Sequence, residues 1–164
     1  MKSQEHDSGW SRRGLIGWGT CLIGGSTLVY GPQRVAAEAK RIRQPTNRNA
    51  DAFIARAYEM RDFAVSQGDR GYGAVVVHIT SGEIIAQSPS RVVTNNDPSA
   101  HAEMEAIRDA ARHLKNRDLS NYVMYSSSRP CAMCEAAAYW ANLNAFYYGR
   151  SASGGKAPRL CGSH

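Results

Sequence analysis

The sequence has little of what would mark a membrane protein, a repeat array or a nucleic-acid binder. No segment repeats along its 164 residues. Its one long uncharged stretch, Gly14 to Gly31, is broken by six glycines and several Ser and Thr. Such a segment is only mildly hydrophobic and makes a poor membrane span. The formal charge is +6, yet the basic residues do not form one long patch. Lys40, Arg41 and Arg43 cluster, and the others alternate with acids, as on an ordinary basic surface rather than a polyanion track. Cysteine is scarce: Cys21, Cys131, Cys134 and Cys161 are all there is. What is present is a hydrophobic fraction of 43%, enough for one folded core.

The first 39 residues read as an address. Ser11-Arg12-Arg13-Gly14-Leu15-Ile16 places twin arginines before apolar residues, and Ala37-Glu38-Ala39 offers small residues at the spacing a signal peptidase accepts. We expect residues 1–39 to be a twin-arginine signal, with the twin-arginine machinery as partner and a periplasmic or exported destination. A retained anchor, and a chance arginine pair on a cytoplasmic tail, are the alternatives.

Beyond the signal, residues 40–50 are polar and basic and are expected to form a loose linker. Asp51 opens a helical pattern to about Gln67, with Phe53, Ala57, Met60 and Ala64 at helix spacing. Strands are expected over 74–79 and 83–87, with Arg91 to Thr94 extending the second. A helix over 100–114, a strand over 122–126, a helix over 131–142 and a strand over 145–148 follow. The order α-β-β-α-β-α-β predicts an α/β fold, a sheet covered by helices, with residues 51–150 as the domain. The tail, residues 151–164, has almost no apolar periodicity and is expected to be irregular.

Two short segments carry the chemistry. His101-Ala102-Glu103 and Pro130-Cys131-Ala132-Met133-Cys134 supply three ligands of the kinds zinc prefers, and one carboxylate to spare. A structural site closes all four positions with protein, whereas a catalytic one leaves a position for water. A redox pair would leave Glu103 unexplained. A structural site would need His113, Cys161 or His164 as its fourth ligand, and His78 reads as a packing residue. Both segments fall at predicted helix starts, so Cys131 and Cys134 share a helix face, and the helix's positive end favours thiolates. The pattern predicts one zinc per chain on His101, Cys131 and Cys134. Zinc lowers the pKa of water at its open position from about 16 to roughly 7. Glu103 is the expected catalytic residue, taking that water's proton and returning it to a departing amino group. H-x-E…P-C-x-x-C is the known signature of zinc deaminases acting on nucleobases.

Four runs extend the likeness: Tyr72 to Val77, Asp97 to Arg108, Pro130 to Cys134, and Ala138 to Ala141. Together they resemble the cytidine deaminase-like superfamily, and within it the guanine deaminase and tRNA adenosine deaminase branch. The resemblance implies a three-layer α/β/α domain, one catalytic zinc, a homodimer, and conversion of guanine to xanthine and ammonia. Tyr139-Trp140-Ala141 favours guanine. Other readings are a deaminase of cytosine, adenine or tRNA adenosine, and a truncated zinc-binding domain with little activity. It further implies substrate contacts from the Ala102 main chain, from Ser90, where many relatives carry Asn, and from Trp140. An exported protein meets small nucleobases rather than tRNA, which argues against a nucleic-acid partner. Arg129 stands where relatives commonly have Glu. The family's C-terminal helix and strand have no counterpart in the glycine-rich tail, so the sheet is expected to lack the last family strand.

Overall fold

In the chain's computed structural model, residues 41–160 are described; the export segment expected over residues 1–39 lies outside them. Helix α1 (Ala50–Ser66) starts where the Asn49 side chain accepts the Ala52 N–H at 3.0 Å, a standard N-cap. Its stripe of Phe53, Ile54, Ala57, Met60 and Ala64 is buried. The other elements are β1 (Gly73–His78), β2 (Ile84–Pro89), α2 (Ala102–Leu114), β3 (Tyr122–Ser126), α3 (Ala132–Trp140), β4 (Ala145–Tyr148) and β5 (Ser153–Lys156). Up to β4 the order and type are those expected from periodicity, within one or two residues at most ends.

The five strands form one sheet in the order β2-β1-β3-β4-β5. Strand β1 runs antiparallel to β2 and β3, β3 runs parallel to β4, and β5 runs antiparallel to β4. Strand side chains alternate between two buried layers. Val75, Val77, Val123 and Tyr125 pack with Phe53 and Ile54 of α1. Ala74, Val76, Met124 and Phe146 pack with Ala102, Ala106, Ala110 and Ala138 of α2 and α3. Helices on both faces make the expected three-layer α/β/α architecture. The alanines on α2 recur every four residues, so that helix presents a smooth face to the sheet. Among the described residues, no helix is long and apolar enough to cross a membrane.

Three expectations are corrected. Arg91 to Thr94 does not extend the second strand; β2 stops at Pro89 and residues 92–96 turn. The Val93 and Thr94 N–H groups donate to the Asp69 carboxylate at 3.0 and 2.8 Å, and so are taken from any ladder. Residues 41–49 are irregular, as expected, but not loose. Gln44 accepts from the Ile84 N–H at 2.9 Å and donates to the Ile84 carbonyl at 2.7 Å, occupying the edge of β2 as a neighbouring strand would. The tail is not wholly irregular, and the sheet does not end at β4. Ser153–Lys156 form a fifth strand whose residues are all exposed. It is held through backbone pairing, to which apolar periodicity is blind. Gly154, at φ 105°, lies so close to β4 that a Cβ there would stand 2.5 Å from the Phe146 carbonyl oxygen.

The contact of α1 with the sheet is close enough to dictate one residue. A Cβ on Gly73 would stand 2.1 Å from the Ala57 carbonyl oxygen and 2.4 Å from the Arg61 nitrogen, both backbone atoms. Gly73→Ala is expected to lower folding stability by about 3 kcal/mol in urea titration, the upper range for overpacking. A variant as stable as the parent would mean that α1 can retreat freely.

Candidate active site

His101 and Cys131 are the N-cap residues of α2 and α3, and neither side chain makes a capping hydrogen bond. Ser, Thr, Asp or Asn would normally stand there. Both side chains turn to each other instead. The His101 Nδ1 lies 3.7 Å from the Cys131 Sγ and 3.6 Å from the Cys134 Sγ, and the two sulfurs are 3.6 Å apart. A tetrahedral ion with Zn–S of about 2.3 Å and Zn–N of about 2.0–2.1 Å needs edges of about 3.8 Å between sulfurs and about 3.6 Å from sulfur to nitrogen. The three donors fit zinc in kind and in spacing. Among the described residues they form the metal-ligating cluster, and no fourth protein ligand joins them; His78 instead bonds Ser81 through Nδ1.

Burial bears on the innermost ligand. Cys134 is buried, and desolvation raises its thiol pKa, with the Glu103 charge and the Cys131 thiol adding to the rise. This burial works against the thiolate that the helix N-terminus favours. A divalent cation supplies the missing charge.

Glu103, in the first turn of α2, is 4% exposed. One oxygen accepts from the Ser126 hydroxyl at 2.8 Å, and the other lies 3.6 Å from the Cys134 Sγ. Glu105, two residues on, is held by Arg91 at 3.0 Å and Arg108 at 2.6 Å. Among the described residues no cation pairs with Glu103. One glutamate is neutralised for structure, and the other is aimed at the ligand cluster by a hydroxyl. Ala102 opens α2, so its N–H has no intrahelical acceptor.

The remaining expected contacts are placed less directly. Ser90 is buried in the segment after β2, and the Arg91 N–H donates to the Ala100 carbonyl at 2.9 Å, beside the His101 loop. The Ser90 hydroxyl donates to Asp69 at 2.8 Å, so its one proton is committed there rather than to a ring. Trp140 ends α3, nine residues past Cys131 and about 13 Å along the helix axis. It is 71% exposed and packs edge-on to Tyr139. The structure therefore brings His101, Cys131, Cys134, Glu103 and Ala102 together and leaves Trp140 at the other end of its helix.

Two supporting residues escaped sequence reasoning. Ser126 ends β3 at the register that meets Glu103, a match between segments 23 positions apart. Asp69 collects five hydrogen bonds: from the Arg70 N–H, the Ser90 hydroxyl, the Val93 and Thr94 N–H groups, and the Thr94 hydroxyl. Desolvation pushes its pKa up, but the bonds from Thr94, Ser90 and Arg70 outweigh that and hold it at about 2, below the ordinary 3.8. Asp-Arg-Gly after a helix is a common turn composition and gives no sign of such a hub.

The fold and the donor set define the class, a cytidine deaminase-like zinc-binding domain. Residues 47–150 match the cytidine and deoxycytidylate deaminase zinc-binding region, and the chain belongs to that family. It is 42% identical over 101 residues to a guanine deaminase of Bacillus subtilis (strain 168), a match covering 61% of this chain and 64% of that enzyme. It thus spans less than two thirds of that relative's length. It is 35% identical over 97 residues to a tRNA-specific adenosine deaminase of Rickettsia bellii, covering 59% of this chain and 67% of that one. The X-ray structure of guanine deaminase from Bacillus subtilis superposes with a TM-score of 0.59 at 37% identity, covering 66% of this chain and 72% of that one.

Two outcomes are expected. Chelator-dialysed protein takes up one zinc per chain by elemental analysis, and Cys134→Ser binds it at least about tenfold more weakly; equal uptake by the variant would remove Cys134 from the ligand set. The Asp69 contribution to stability is complete above its unfolded pKa, near pH 4, and is lost as pH falls toward 2. Urea midpoints should therefore fall between pH 4 and pH 2 in the parent and fall less in Asp69→Asn.

Proposed function

We propose that this chain deaminates a nucleobase by hydrolysis, and that guanine, giving xanthine and ammonia, is its substrate. The observation that carries the reading is Glu103: a buried carboxylate, unpaired with any cation among the described residues, aimed by Ser126 at a three-ligand cluster. His101, Cys131 and Cys134 would hold zinc, which would supply Lewis acidity to the attacking water. Glu103 would take a proton from the attacking water and pass it to the exocyclic amino nitrogen, so that the carbon–nitrogen bond breaks and ammonia leaves. Water contributes the new oxygen, and proton count and charge balance. The N–H of Ala102, the first of its helix, is the donor this reading gives to a ring carbonyl. Ser126 keeps the carboxylate in line between the two proton positions, and burial prevents bulk water from competing.

The choice of guanine rests on the 42% relative and on the Tyr139-Trp140-Ala141 run. The 35% relative keeps adenosine in tRNA as the second reading.

Zinc-loaded protein incubated with guanine, adenine, cytosine and their nucleosides should release ammonia from guanine fastest. Glu103→Ala should lower kcat by about 10²–10⁴ at unchanged zinc content, the range for general acid–base help. Ser126→Ala should lower it by about tenfold, the lower range for an outer hydrogen-bond partner. Ammonia release that is equal in parent and Glu103→Ala would end the enzymatic reading.

A further inference from the structure

A cavity of about 320 Å³ is lined in part by Arg129, Pro130 and Glu135, which flank the two cysteine ligands in sequence. Its wall begins where the ligand loop does: Arg129 lies two residues before Cys131, and Glu135 directly follows Cys134. Consecutive Cα atoms are about 3.8 Å apart, so the Arg129 Cα lies within about 7.6 Å of that of Cys131. Phe146 and Tyr148, alternate residues of β4, line it with apolar surface, and Lys156 and Arg159 reach it from β5 and the segment that follows.

Its charge is lopsided. Arg129, Lys156 and Arg159 face one acid, Glu135. Among the described residues none of the three makes an ion pair, whereas Arg56, Arg91, Arg108 and Arg112 are each tied to Glu59, Glu105 or Asp109. The fold thus spends its paired arginines on structure and leaves these three cations uncommitted around one concavity. Low-dielectric walls concentrate their field. A guanidinium fork and an ammonium together suit an oxyanion with several acceptor oxygens, above all a phosphate monoester. Glu135 leaves the excess positive and disfavours ligands that bring no full negative charge.

We propose that this cavity binds a phosphate monoester, the 5′-phosphate of a purine nucleoside monophosphate whose base lies at the metal site. This rests on the deaminase reading and deepens it: the guanine ring remains the reacting group, and the site would accept it on the 5′-nucleotide as well as free. The β5 hairpin gains a role, because it delivers Lys156 to the site.

The test is calorimetric titration of the zinc-loaded full chain with guanosine, guanosine 5′-monophosphate and inorganic phosphate, at low and at high salt. The nucleotide should bind about tenfold or more tighter than the nucleoside, the scale of a charge-assisted hydrogen bond. That margin should shrink with salt. R129E and K156E should each abolish it, and R150A, an exposed arginine outside the cavity, should keep it. Inorganic phosphate should compete with the nucleotide in the parent and not in R129E. Equal affinity for nucleoside and nucleotide, unmoved by R129E, would overturn the proposal. So would phosphate and nucleotide bound together without competition. Intact phosphate binding with no ammonia from any guanine compound would defeat the deaminase reading alone, so the two failures are distinguishable.

Discussion

The meeting of two helix N-termini through His101, Cys131 and Cys134 is the constraint around which the molecule is arranged. Each helix gives up a proper cap at its first residue, a loss of about 1 kcal/mol apiece in an ordinary helix. Helix α3 also turns Cys134 inward, into a place where burial opposes the charge a thiolate ligand needs. Glu103 adds a buried carboxylate. A cation at the cluster would offset the burial of the thiolate and the carboxylate, while the two caps stay unfilled. The three-layer sheet holds the helix ends at the required separation, and the alanine face of α2 sets how closely that helix lies on the strands.

The part of this arrangement carried by neighbouring residues was legible in the sequence. C-x-x-C is local, and so is the interval from His101 to Glu103; a predicted helix start then places each side chain. Strands β3 and β4 were legible because apolar runs bounded by turns leave little choice. What was not legible depends on partners far apart in the chain. Ser126 matters only because strand register carries it to Glu103. Asp69 matters because a loop 24 residues away folds back to it. Gly73 matters because a helix backbone passes over it. Trp140 is a different case: a residue run typical of a family suggested a place at the substrate, and helix rise sets the residue at the far end of α3 from Cys131.

Three carboxylates illustrate how one functional group is put to different uses. Glu105 is enclosed by two arginines and acts as a fixed joint. Asp69 is surrounded by hydrogen-bond donors and ties the turn after β2 to the end of α1. Glu103 has one hydroxyl on one oxygen and a thiol near the other. It is the least satisfied of the three, which suits the proton-carrying role proposed for it. Neighbours, not residue type, set these roles.

The fifth strand bears on how the molecules behave toward one another. The outer rim of a sheet invites a stranger's backbone to add on, and long flat rims seed precipitates. Here the rim is four residues long, its pairing slips register, and its two glycines adopt left-handed dihedrals. Lys156 adds a charge. Such a border is a poor template for a second chain at high concentration. The glycines that make the tail look structureless are what bring the sheet to a clean stop.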